Sequence, residues 1–311
     1  MVEGKNQWKA WLYLAPALIL LLIFTVWPMI NTLRMAFLED YNGLEAVAGI
    51  KFSVGFGNFT HVLFNEGSDF FRCLLNTVLL CVFTVPISTM LALLIAVCLN
   101  SIKWFSRFLQ TIFFLPYVTN TIAIGMVFAL MFNVIGVGTA SESIGIVNNI
   151  IVFFGGKRID WISITSEPWA NYFVMIVYIV WNALPFKILI LLGGLQSVNK
   201  QYYEAAKIDG TSRARTFWRI TVPMLSPMIA YVVITGFIGG FKEYTSVVGI
   251  FGESMGPTNA PGRLNTVVGM IYDAIYQTDY GRASASALLL FILIFAVTMV
   301  NLYVSKKKVH Y

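Results

Sequence analysis

The sequence predicts an all-α membrane protein with six transmembrane helices, on three observations. The chain is 58% hydrophobic and only 12% charged over 311 residues, too little charge to cover a soluble domain of that size. Apolar runs of the roughly 20 residues that cross a bilayer recur at about 11–37, 74–99, 108–133, 171–193, 224–246 and 284–305. Basic residues fall in the short segments between these runs, where polytopic proteins keep their topology signals. The net charge of +6 is therefore not gathered into one patch, and no nucleic-acid partner is expected.

The elements follow in order. Lys5 and Lys9 precede an apolar stretch from Trp11 to Phe37, resembling a signal peptide. The stretch is too long for one, and no small-residue cleavage site follows, so it is expected to stay as the first span. Residues 1–10 then form a cytoplasmic N-terminus and 11–311 one membrane domain. Pro16, Pro28, Pro86, Pro116, Pro185 and Pro227 lie in the spans, where neighbours can re-satisfy the freed carbonyls. Gly236, Gly239 and Gly240 permit close helix approach. Cys81 and Cys98 read as small core residues. With Cys73 they match no zinc spacing and no disulfide framework.

With both termini in the cytoplasm, the inside segments hold Lys5, Lys9, Lys103, Arg107, Lys200, Lys207, Arg213, Arg215, Arg219 and Lys306–Lys308, against Glu3, Glu204 and Asp209. The outside segments hold fewer basic residues and many acids, so the positive-inside rule selects this orientation. The outer loops, about 38–73, 134–170 and 247–283, are long. The second contains an apolar piece, 144–154, too short to span and expected to be interfacial or re-entrant.

The connection at 194–223 carries the most specific string. It reads Glu204-Ala205-Ala206-Lys207-Ile208-Asp209-Gly210-Thr211-Ser212, then Phe217-Trp218-Arg219-Ile220-Thr221-Val222-Pro223. Asn199 suits a helix N-cap, Gly210 a left-handed stop, and Thr211 or Ser212 a second cap. That second helix is expected to end near Pro223. By residue chemistry alone, a basic amphipathic helix bound to membrane lipids fits equally well.

The whole string, however, resembles the EAA signature of permease subunits of ATP-binding-cassette (ABC) importers. Glu204, Ala205, Ala206, Asp209, Gly210, Ile220 and Pro223 match its Glu-Ala-Ala, Gly and Ile-x-x-Pro positions. Tyr13–Leu18 with Pro28, Asn76-Thr77, Phe114-Leu115-Pro116, Trp181 with Pro185, and Tyr280–Ala285 resemble the sugar branch: the larger subunits of maltose, multiple-sugar and glycerol-phosphate importers. Where that group often has Thr-x-Gly-Gly-Pro, this chain has Ser254-Met255-Gly256-Pro257.

The resemblance implies a permease of the bacterial cell membrane with a cytoplasmic EAA coupling-helix loop, no catalytic residues and no metal. ATP and Mg would be bound by separate ATPase subunits, and the chain has no phosphate-cradling Gly-x-x-x-x-Gly-Lys-Ser/Thr string. The other implied partners are a second permease, an extracellular solute-binding protein received by the outer loops, and a sugar-like substrate. Glu204, Ala205, Ala206, Asp209, Gly210 and Pro223 would couple to the ATPase, Glu204 through a charge-assisted contact. Matched position by position, Tyr117, Thr121, Asn182, Ala183, Phe186, Gly236, Gly240 and Glu243 would line the substrate pathway. Core packing is the alternative for each. Lys242 and Glu243 form the charged pair of the fifth span, and Lys187 is a lone charge in the fourth. Ionisable residues at such depth suggest function and leave room for a charged solute.

The nearest alternative is an importer of the same broad family for a non-sugar solute such as an amino acid or a metal, and two further rivals fit less well. An ion-driven secondary transporter needs no EAA loop and often shows two related halves, which this sequence lacks. A membrane enzyme needs clustered acids, histidines or a nucleophile, and His61 and His310 are far apart in the predicted topology.

Overall fold

The computed structural model describes residues 7–102, 106–135 and 143–308. The N-terminal residues up to 6, Lys103 and His310 lie outside the described residues. Helices dominate. They are α1 (Gln7–Leu21), continued through a π turn into α2 (Trp27–Ala36), then α3 (Gly43–Val47), α4 (Gly57–Phe64), α5 (Phe70–Ser101), α6 (Ser106–Val118) and α7 (Thr121–Phe132). A two-residue antiparallel strand pair, β1 (Val134–Ile135) and β2 (Ser143–Ile144), leads to α8 (Ile146–Phe153) and α9 (Pro168–Ser197). The rest comprises α10 (Lys200–Ile208), α11 (Arg213–Thr216), a π turn, α12 (Val222–Met224), α13 (Ser226–Gly240), α14 (Thr245–Phe251), α15 (Val267–Tyr276) and α16 (Tyr280–Lys308).

Four stretches are long and apolar enough to cross a membrane unbroken: Trp8–Ala36, Phe70–Ser101, Pro168–Ser197 and Tyr280–Lys306. Two more apolar stretches are bent pairs, so among the described residues there are four candidate spans, or six if each pair counts as one. The stretch expected as one helix over 108–133 turns by 101° between Val118 and Thr121. Pro116 weakens the end of α6 by withholding an N–H. The Asn120 carboxamide oxygen then accepts from the N–H of Ile122 and Ala123 at 2.9 and 3.2 Å, starting a new helix.

The fifth stretch differs more from expectation. The helix of Arg213 ends near Pro223 as expected, running through a π turn at Phe217–Thr221 to Met224, and the chain then bends by 69° into α13. Pro227 sits in the first turn of α13, where its missing N–H has no helical partner to lose. The helix ends at Gly240, not near 246, so Lys242 and Glu243 lie in the turn before α14. The apolar piece at 144–154 forms α8. Buried Asn148 fastens it to the following loop through the N–H and C=O of Ile159. Cys81 is buried as expected, but Cys98 is exposed.

The chain divides into two compact units. In Met1–Phe71 with Met270–Phe291, buried Asn58 donates to the carbonyls of Ala36 and Leu38 and accepts from the Asp40 N–H. The Gly281 N–H reaches the Tyr41 carbonyl at 2.9 Å. Arg282 contacts Asp279 at 3.1 Å and Asp40 at 3.4 Å.

In Arg72–Gly269 with Ile292–Tyr311, one apolar cluster gathers α7, α9 and α14 around fully buried Tyr178, Met175 and Val247. A second joins α5, α9 and α13 through Ala92, Ile188, Leu191 and Val232. The half-helices α7 and α14 meet backbone to backbone: a Cβ at Gly125 would lie 2.7 Å from the Gly249 Cα. The loop after α14 is tied down by Asn76, whose amide donates to the carbonyls of Arg263 and Asn265, both at 2.9 Å. Thr77 accepts from the Val267 N–H at 3.1 Å, and Arg263 bonds the Ser166 carbonyl and the Asn171 side chain.

Candidate solute cavity and coupling segment

Helices α5, α9 and α13, the bend between α6 and α7 and the turn before α14 converge on one cavity of about 480 Å³. Apolar spans give few polar groups to such a space, and each comes from an identifiable element. Thr84 and Ser88, one turn apart, come from the face of α5 that also carries Asn76 and Thr77. The bend between α6 and α7 delivers Tyr117 and Thr121, and buried Tyr178 donates its hydroxyl to the Thr121 carbonyl. From α9 come Asn182, Ala183, Phe186 and Lys187, and from α13 Thr235, Gly236, Gly239 and Gly240.

At Gly236 and Gly240 the cavity wall is crowded. A Cβ at Gly240 would fall 2.7 Å from the Cys81 sulfur, and one at Gly236 would fall 3.1 Å from Val85 and 3.2 Å from Lys187 Nζ. The rings of Tyr117 and Phe186 stack at 6.1 Å with 20° between planes, and Tyr117 is 62% exposed. Glu243 completes the lining. One of its carboxylate oxygens accepts from the N–H of Tyr244 and of Ser246, at 3.1 and 3.0 Å, and its carbonyl accepts from Thr266.

All eight pathway positions inferred from sequence line this one cavity. Lys242 is exposed outside the lining, and the cation that shares the cavity with Glu243 is Lys187. Sequence reasoning missed Thr84, Ser88, Thr235 and Gly239. The signal for the first two was available, since a Thr and a Ser four residues apart interrupt an otherwise apolar run.

The segment after α9 is built differently. Asn199 caps α10, its side-chain oxygen accepting from the Gln201 N–H at 3.0 Å. Gly210, at φ 67°, reverses the chain in the left-handed region, and the Thr211 N–H returns to the Ala206 carbonyl at 2.9 Å. Ser212 caps α11 at 3.4 Å. Of the expected coupling residues, Ala206 faces inward at 6% exposure, while Glu204, Ala205, Asp209 and Gly210 are exposed and Pro223 is half-buried. Tyr203 and Thr221 lie 3.3 Å apart and brace α10 against the helix that carries Pro223. Ile208 is 87% exposed, an apolar side chain with no cover in this chain.

Residues 74–310 match the family of binding-protein-dependent transport system inner membrane components. This chain belongs to that family. The permease is 30% identical over 295 residues to the arabinooligosaccharides transport system permease protein AraP of Halalkalibacterium halodurans, covering 94% of this chain and 86% of that protein. It is 30% identical over 305 residues to the lactose transport system permease protein LacF of Rhizobium radiobacter, covering 96% and 95%. It is 28% identical to the sn-glycerol-3-phosphate transport system permease protein UgpA of Agrobacterium fabrum over 100% of this chain and 99% of that one. In fold it is similar to a bacterial ABC transporter involved in the import of the acidic polysaccharide alginate. The TM-score is 0.77 at 22% identity, over 97% of this chain and 96% of that chain. The permease is thus a multi-pass inner-membrane protein.

Proposed function

We propose that this permease is a membrane-spanning subunit of an ABC importer for carbohydrates. The observation that carries the reading is near-full-length similarity at 30% identity to permeases named for arabino-oligosaccharides and lactose. The cavity supports it chemically: hydroxyl and carboxamide groups beside two stacked aromatic rings suit a polyhydroxylated solute.

On this reading Tyr117, Thr121, Asn182, Ala183, Phe186, Gly236, Gly240 and Glu243 face the solute. The chain forms half of the path, a second permease forms the other half, and the wide exposure of Tyr117 fits a cavity wall completed by another subunit. Glu204, Ala205, Ala206, Asp209, Gly210 and Pro223 belong to the EAA segment that engages a separate ATPase, which carries ATP and its Mg. The exposed Ile208 and Glu204 on α10 give that partner one apolar and one charged contact. A solute-binding protein, the partner in the family's own description, delivers solute to the outer loops. Both termini are cytoplasmic, with Arg213, Arg215 and Arg219 near anionic lipid headgroups.

The test is uptake into vesicles holding this permease with a second permease, the ATPase and the binding protein. Carbohydrate accumulation that needs ATP and each component supports the reading. Accumulation that persists without the ATPase and follows an ion gradient replaces it with a secondary transporter.

A further inference from the structure

Lys187 is the charged group in the cavity that the proposed pathway does not use. Its side chain is 4% exposed. Its ammonium donates to the Val85 carbonyl at 3.2 Å, to the Ser88 hydroxyl at 2.7 Å and to the Thr89 hydroxyl at 3.0 Å. All three acceptors are neutral, and among the described residues no carboxylate lies within ion-pair distance of it. A cation held inside an apolar bundle with its hydrogen bonds met but its charge unmatched is costly.

We propose that Lys187 is a specificity-determining residue, and that the carbohydrate this permease selects bears a carboxylate of the uronate kind. The inference rests on the carbohydrate reading above and deepens it.

Three features of the wall favour an anion at this point. The ammonium lies against α13, where a Cβ at position 236 would come within 3.2 Å of Nζ, and the glycine there leaves Lys187 its place in the cavity lining. One of its three bonds is easily exchanged. The Val85 carbonyl is the most distant acceptor and already accepts from the Thr89 hydroxyl at 2.7 Å and the Ser88 hydroxyl at 3.2 Å. A carboxylate can therefore take that proton while Ser88 and Thr89 still hold the ammonium in place. The acid already in the cavity does not compete. Glu243 spends one carboxylate oxygen on the N–H of Tyr244 and of Ser246, which leaves the other to accept sugar hydroxyls. A neutral sugar satisfies Glu243 and leaves the Lys187 charge unmatched, whereas an acidic sugar satisfies both.

The test uses the complete reconstituted transporter and pairs of labelled disaccharides, each a uronate and its neutral carboxyl-reduced counterpart. The native permease is expected to accumulate the uronate in preference. Lys187→Met is expected to lower uronate uptake about tenfold or more, as loss of a charge-assisted hydrogen bond implies, and uptake of the neutral counterpart by a smaller factor, so that the native preference for the uronate is lost. Lys187→Arg is expected to restore most uronate uptake. Undiminished uronate uptake by Lys187→Met overturns the proposal. So does a native permease that carries the neutral sugar and excludes the uronate, a comparison that needs no variant to fold. In that second case the carbohydrate reading stands. If no sugar of either kind is carried or stimulates ATP hydrolysis, the carbohydrate reading falls with it.

Discussion

The cavity and the segment at 199–223 belong to the same compact unit, yet they are made in opposite ways. The segment is local: Asn199, Gly210 and Ser212 each act on backbone one to three residues away, and most of α10 is exposed. The cavity is assembled from Thr84, Tyr117, Asn182, Thr235 and Glu243, far apart in the chain, and depends on the packing of the helices that carry them. Damage to the cavity's supports should therefore unfold the unit. Damage to the segment should leave a folded protein that no longer transports.

The largest effect tests the packing side. In Gly125→Leu the new side chain meets the backbone of Gly249, which cannot move aside without separating α7 from α14. Overpacking costs about 1–3 kcal/mol where side chains can adjust, and more is expected here. Detergent-extracted protein should melt well below the native permease or fail to be recovered. Native-like melting would mean the two half-helices part easily and the cavity is less fixed than its contacts indicate.

Next comes Gly210→Val. A β-branched residue at φ 67° costs about 1–2 kcal/mol locally. Because the strain sits in an exposed turn, the melting temperature should change little while ATP-driven uptake falls by about tenfold or more. Equal loss of stability and uptake would erase the distinction between the two regions.

Glu243→Ala is expected to do some of each. It removes an N-terminal cap for α14, worth about 1 kcal/mol, and a polar group of the cavity. A modest drop in melting temperature should accompany a several-fold loss of uptake, with Glu243→Gln recovering stability ahead of transport. The smallest effects belong to the caps of the segment. Asn199→Ala should lower uptake about twofold through fraying of α10. Ser212→Ala should do less, since its 3.4 Å contact is near the limit of a hydrogen bond.

The same contrast explains what could be read from sequence. The cap at Asn199, the left-handed Gly210 and the cap at Ser212 were legible because turn and cap chemistry is local. The long helices were legible from apolar length. The two bends were not: prolines inside apolar runs are compatible with straight helices, as Pro86 in α5 and Pro185 in α9 show. Only the three-dimensional fold shows that the chain turns at Asn120 and Leu225. The cavity positions were reached through family resemblance, not through pattern. The pairing of Lys187 rather than Lys242 with the cavity was hidden because α13 ends at Gly240, three residues short of Glu243, a boundary that hydrophobicity does not mark.

We propose that the cavity is the solute path and that the segment at 199–223 drives its opening. The most direct test places a cysteine at Asn182, with the native cysteines replaced by alanine, in the reconstituted transporter. Membrane-impermeant thiol reagents are then added from each side, with and without ATP and vanadate. The account predicts that Asn182→Cys switches the side from which it reacts when nucleotide is trapped, and that Gly210→Val abolishes the switch. Reactivity that is the same from both sides with or without nucleotide, or a switch that persists in Gly210→Val, would contradict it.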